Sequence, residues 1–113
     1  MPPKIVLKYI LDLEQLIGEF EEVVQICESD YHKFSANFMA IRATERNLEL
    51  IGEVIRQMQK ISPMVPIKHA KEIIGMRNLL AHSYDNIDPT VLWKILLNKL
   101  PDLKEEILNL KAN

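Results

Sequence analysis

Apolar residues recur along the first part of the chain at alternating steps of four and three. Val6, Ile10, Leu13, Ile17, Phe20, Val24 and Cys27 keep a seven-residue rhythm, as expected of a helix with one apolar stripe. The pattern predicts a helix from about Lys4 to Glu28. Its stripe reads as bundle core, with a helix-helix dimer seam as the alternative. Cys27 ends the stripe and reads as core, not as a nucleophile. Ser29-Asp30 to Lys33 reads as a short link. A second helix is expected from about Phe34 to Ile61, with Ile41, Thr44, Leu48, Ile51, Ile55 and Met58 on its apolar face. Opposite lie Arg42, Glu45, Arg46, Glu49, Glu53, Arg56 and Lys60, a row of mixed sign that reads as a solvated face pairing with itself. The sharper alternative is that Arg46 or Glu53 borders a polar site between helices. Gly52 sits in mid-helix at a cost of about 1 kcal/mol against Ala, which close approach of another helix would explain.

Ser62-Pro63-Met64-Val65-Pro66 is expected to be a turn, because two prolines cannot continue a helix. A third helix should run from about Pro66 to Ser83 or Tyr84. Asp88-Pro89 then places an N-cap residue and a first-turn proline at the start of a fourth. Leu92, Leu96, Leu100, Leu103, Ile107 and Leu110 give that helix its stripe, and Trp93 lies beside it, in the core or at an interface. Pro101 should kink or break it. The expected architecture is all-α: an up-and-down bundle of four helices, or five if Pro101 makes a break, in a single domain over residues 1–113.

The chain has 113 residues, enough for one domain with a modest core. Its net charge is −2. There is no overall basic pull toward nucleic acid, so any RNA contact must come from a local patch. One cysteine allows no internal disulfide and fits a reducing compartment. No apolar run approaches the roughly 20 residues of a bilayer span, and the first residues do not look like a signal peptide. The expectation is a cytoplasmic protein with no membrane association.

The candidate chemistry lies in Arg77-Asn78-Leu79-Leu80-Ala81-His82-Ser83-Tyr84. On an ideal helix Ile73, Met76, Leu80 and Ser83 share the core face. Lys68, Lys71, Gly75, Asn78 and His82 share the opposite one. The histidine therefore points away from its own helix's core contact. It is either a surface residue without a role or a group available for proton transfer. The two lysines suggest a short basic groove for a phosphate backbone, or ordinary solvation. Arg77 flanks the core face. There it can snorkel, pair with Glu53 or another acid, or hold a phosphate with its planar fork. Arg77 and His82 stand about 140° apart around a helix. They act side by side only if the helix end distorts, the arginine reaches round, or a second chain contributes. His32, His69 and His82 are scattered and no cysteine cluster exists, so no metal-ligand spacing is present. Ser83 next to His82 makes a poor nucleophile-base pair. A metal-free constellation remains: histidine for proton transfer, arginine for anionic charge.

Gly75-Met76-Arg77-Asn78-Leu79-Leu80-Ala81-His82-Ser83-Tyr84 resembles the signature of HepT-like toxins in the HEPN superfamily, which pair with a minimal nucleotidyltransferase antitoxin of the MntA type. The motif is Arg, four residues, His, one residue, Tyr. Ile51-Gly52-Glu53 and the matching length extend the likeness over nearly the whole chain. Many relatives carry Pro-Trp where this chain has His69-Ala70. The resemblance implies an all-helical homodimer and a metal-independent endoribonuclease without cofactor. It implies the toxin half of a type VII toxin-antitoxin pair, silenced by adenylylation of the motif tyrosine. By match, Arg77 and His82 would be catalytic, Asn78 supporting, and Tyr84 the modified residue. Two other readings stand beside it. One is a non-catalytic HEPN subunit that presents substrate to a nucleotidyltransferase. The other is a plain helical interaction protein, against which the intact set Arg77, Asn78, His82 and Tyr84 argues.

Overall fold

The structure, a computed structural model, describes residues 3–82 and 88–112, without the side chains at 79, 81 and 82. Helix α1 spans Lys4–Ile26, α2 Tyr31–Ser35, α3 Phe38–Ile61, α4 Ala70–His82, α5 Pro89–Lys94 and α6 Leu100–Ala112, with a π-helical turn at Ile95–Lys99 between the last two. Taking α5, the π turn and α6 as one run, the described residues form four main helices and the short α2. No strand occurs among them. The architecture is the expected all-α bundle. No helix among the described residues is long and apolar enough to cross a membrane.

The α1 stripe faces the core as its rhythm predicts. Val6, Ile10, Leu13, Ile17 and Phe20 are buried, and Cys27 is 2% exposed. Burial pushes the Cys27 thiol above its ordinary range, which suits a packing residue and not a nucleophile. In α3, Thr44, Leu48, Ile51, Ile55 and Met58 are buried. The Thr44 hydroxyl turns back to donate to the Ala40 carbonyl at 2.8 Å, so burying it leaves no orphan donor. The row of charges on α3 pairs at i,i+3: Arg42 with Glu45, Arg46 with Glu49 and Arg56 with Glu53.

Three boundaries differ from expectation. The stretch read as a link holds α2. The Asp30 carboxylate caps it by accepting from the His32 N–H at 2.8 Å. Burial of Phe34 against Trp93, with ring centroids 5.0 Å apart, holds five residues that would be too short to persist alone. Helix α3 consequently begins at Phe38, where the Asn37 side chain accepts from the Ala40 N–H. Helix α4 begins at Ala70 and not at Pro66. Residues 65–67 run without helical structure, and the Lys68 N–H is taken by the Glu106 carboxylate of α6 at 2.7 Å. Asp88 caps α5 as predicted, accepting from the Thr90 N–H, with Pro89 in the first turn.

Pro101 neither breaks nor ends the last helical run. The widened turn just before it carries i→i−5 bonding, with the Leu100 N–H donating to the Ile95 carbonyl. A proline has no N–H to offer a regular helix and its ring crowds the preceding turn. The π turn relieves that crowding. Leu92, Leu96, Leu100, Leu103 and Ile107 stay buried along one side throughout.

Candidate active site

Helix α4 lies against α3, and Gly52 marks their closest approach. A Cβ at position 52 would fall 2.3 Å from Arg77 Cβ, 2.9 Å from Arg77 Cγ and 3.1 Å from the Ile73 carbonyl oxygen. The glycine in mid-α3 thus has the reason its sequence position suggested: the arginine's stem occupies the space a side chain would need. Ile73 is buried, and Met76 and Leu80 pack partly buried against the core. Lys71, Gly75 and Asn78 are exposed. The two-faced helix expected from spacing is present for these residues. Among the described residues, nothing from elsewhere in the fold lies within 4 Å of a Cβ built on Gly75.

Arg77 is directed by its neighbours on both helices. Its Nη2 stands 3.1 Å from Glu53 Oε2, and the two side chains are 22% and 34% exposed. Its Nη1 donates to Asn78 Oδ1 at 3.0 Å. Glu53 is itself held: Gln57 Nε2 donates to Glu53 Oε1 at 2.8 Å, and Arg56 Nε lies 3.7 Å from Oε2. The hydrogen bond from Gln57, followed by the nearby charges of Arg77, Arg56 and Lys60, keeps the Glu53 carboxyl below the usual carboxylate range despite a desolvation cost. Glu53 is therefore an anion at neutral pH. The Arg77–Glu53 contact is ionic and not an aligned hydrogen bond. Glu53 Oε2 and Arg77 Nε are both shielded from solvent, and neither has a hydrogen-bond partner among the described residues.

The structure brings together Arg77, Asn78 and Glu53. Of the two α3 residues proposed to border a polar site, Glu53 does so. Arg46 does not: it points to solvent, with its side chain 65% exposed, and pairs with Glu49. Lys68 falls in the turn before α4 and not on the helix, so it does not share a helical face with Lys71. That corrects the expected two-lysine face. His82 is the last residue of α4; its side chain, and Ser83 and Tyr84 entirely, lie outside the described residues. Gln57, which anchors Glu53, was not singled out from the sequence, although its spacing of four from Glu53 is the standard signal for such a pair.

The substituted His69-Ala70 pair has a packing role. Ala70 is buried. His69 Nε2 lies 3.1 Å from Asp102 Oδ2, and its Nδ1 lies 3.6 Å from Glu72 Oε1. Glu72 also pairs with Lys99. These contacts fasten the start of α4 to the last helical run. Among the described residues no group of three or more His, Cys, Asp or Glu side chains is arranged to hold a metal ion.

A family model described as "Ribonuclease HepT-like" matches residues 8–110. The chain is similar to "Putative RNase MJ1380" of Methanocaldococcus jannaschii, at 35% identity over 84% of this chain and 89% of that protein. It is also similar to "Probable ribonuclease HepT" of Thermococcus cleftensis, at 31% identity over 91% and 93%. A third relative, "Putative RNase TTE0752" of Caldanaerobacter subterraneus, is 29% identical over 84% and 87%. No solved structure matches the chain. With its arginine and asparagine carried on α4 over a glycine of α3, and with nearly its whole length matched, the chain belongs to the ribonuclease HepT-like family.

Proposed function

We propose that the protein is a metal-independent endoribonuclease, the toxin of a toxin-antitoxin pair, with Arg77 and His82 as catalytic residues and Asn78 supporting them. The observation that carries this reading is the state of Arg77. A partly exposed guanidinium is held in one orientation by Glu53 and Asn78, as a charge-stabilising group should be before substrate arrives. In the proposed reaction the ribose 2′-hydroxyl attacks the adjacent phosphorus. A base takes the 2′-hydroxyl proton as the new P–O bond forms. An acid delivers a proton to the 5′-oxygen as the P–O5′ bond breaks. The products are a 2′,3′-cyclic phosphate and a 5′-hydroxyl. Histidine suits both proton transfers near neutral pH. Arg77 offsets the charge that grows on the phosphoryl oxygens. Asn78 accepts from Arg77 through Oδ1, which leaves its amide N–H groups to donate elsewhere. Lys68 and Lys71 add weak backbone attraction at the start of α4.

A homodimer with facing α4 helices accounts for the base and the acid. Each chain offers one histidine in the motif, and two chains supply two. The open surface at Gly75 would admit the second helix. The same dimer would bring Arg77 of one copy toward His82 of the other.

Tyr84 is proposed as the control point, through transfer of AMP to its hydroxyl by a cognate nucleotidyltransferase antitoxin. The added phosphodiester anion would occupy or repel the phosphate position beside Arg77. Co-expression with that enzyme should add the mass of AMP to the peptide containing Tyr84 and lower RNA cleavage. Tyr84→Phe should escape modification and remain toxic beside the antitoxin. Full neutralisation of Tyr84→Phe would show that the antitoxin acts by binding or at another residue. The function itself is tested by incubating RNA with the purified protein. Cleavage is expected. Its absence under all conditions would favour the second family reading, a non-catalytic subunit that binds substrate for a nucleotidyltransferase.

A further inference from the structure

We infer that Glu53 is the positioning residue for Arg77, and that Gln57 holds Glu53 in place for that task. The inference rests on the proposed ribonuclease reading and adds to it a residue of α3 outside the Arg-His-Tyr motif. Arg77 leaves α4 where the two helices touch, and its Cβ and Cγ fill the space over Gly52. A long side chain starting in that gap would otherwise spread over several rotamers at an entropy cost on ordering. The next residue of α3, Glu53, puts a carboxylate oxygen 3.1 Å from Arg77 Nη2. One turn further along, Gln57 occupies the other carboxylate oxygen at 2.8 Å. The carboxylate is thereby turned so that Oε2 faces the guanidinium.

The contact differs from a surface ion pair. Arg77 and Glu53 come from different helices, both are mostly shielded, and Glu53 Oε2 lies out of solvent. The α3 pairs Arg42–Glu45, Arg46–Glu49 and Arg56–Glu53 are local i,i+3 contacts with exposed arginines, and Arg56 stands farther from Glu53 Oε2, at 3.7 Å, than Arg77 does. With Nη2 anchored on Glu53 and one Nη1 N–H given to Asn78 Oδ1, the second Nη1 N–H is the donor left to meet a phosphate. Glu53 touches no substrate in this arrangement. It acts through Arg77, and its negative charge is the reason it should raise kcat without tightening RNA binding.

The test is a double-variant cycle on RNA cleavage. Glu53→Gln keeps the size of the side chain and removes its charge. It should fold with a thermal midpoint close to that of the parent and lower kcat about 10- to 100-fold, by analogy with the loss of a group that orients a metal ligand. KM should stay within about threefold, since a repelling anion has been removed and no RNA contact has. In the Arg77→Ala background Glu53→Gln should cause no further loss. Gln57→Ala should lower kcat in the same direction by less. Undiminished kcat in Glu53→Gln would overturn the inference, and so would an equal loss with and without Arg77. If the parent protein cuts no RNA, the ribonuclease reading fails, and the positioning claim is read from the nitrogen-15 spectrum of the arginine side chains. The Arg77 Nη signals, assigned by their loss in Arg77→Ala, should be separate and slowly exchanging in the parent and collapse in Glu53→Gln. Identical spectra would overturn the claim by themselves.

Discussion

His82→Ala should remove RNA cleavage while leaving the bundle folded. A histidine acting as acid or base contributes roughly 10²- to 10⁴-fold, so the variant's rate should fall by that order. The fold should survive because the buried side of α4 is supplied by Ile73, Met76 and Leu80; the motif histidine is spaced onto the other side. Arg77→Ala should cost about 10²- to 10³-fold, the range for removing one charge-stabilising donor, with a small additional effect on stability from emptying the space over Gly52. The two residues stand about 140° apart on a regular helix, so the proposed site draws them from different copies. Parent-like cleavage by His82→Ala would remove the histidine from the mechanism.

Gly52→Ala should destabilise the protein, against the usual trend for a glycine in a helix. Replacing a mid-helix glycine normally gains about 1 kcal/mol. Here the new Cβ would lie 2.3 Å from Arg77 Cβ and 3.1 Å from the Ile73 carbonyl. The first is the root of a side chain and the second is backbone, so neither can swing away. The helices must separate, which overpacking data place at about 1–3 kcal/mol or more. Gly52→Val, with two further methyl groups in the same gap, should exceed that range. A net loss near 2 kcal/mol corresponds to a fall in Tm of roughly 10 °C for a domain of this size. Because α4 moves away from α3, the Arg77–Glu53 contact should also be lost, and activity should drop further than stability explains. Thermal melts followed by circular dichroism decide the first point. An unchanged or raised midpoint for Gly52→Ala would show that the helices do not meet there.

The main lines of the fold are legible in the chain because one physical rule, burial of an apolar stripe, governs them. The α1 rhythm, the α3 face and the Asp88-Pro89 start all reappear where the spacing puts them. Gly52 was legible as a close approach, since a costly glycine in a good helix needs a reason. The errors fall where a tertiary contact overrides a local signal. Asp30 is a good cap, but five residues justify a helix only once Phe34 reaches Trp93. Pro66 looks like a first-turn proline, yet Glu106 of a distant helix takes the Lys68 N–H and delays α4 to Ala70. Pro101 looked like a breaker, and the π turn upstream absorbs it. In the site, spacing on one helix could place Arg77 and Asn78. It offered Glu53 only as one of several partners for Arg77, because the choice depends on how α3 and α4 cross.

The ends of the cleaved RNA report most directly on the proposed mechanism. A uniform RNA is incubated with the purified protein in EDTA, and the fragments are examined for their termini. Attack by the 2′-hydroxyl under histidine and arginine control predicts cleavage that persists without divalent ions, 2′,3′-cyclic phosphate at one new end and a free 5′-hydroxyl at the other. Fragments bearing 3′-hydroxyl and 5′-phosphate ends, or cleavage that vanishes in EDTA and returns with a divalent metal, would contradict it.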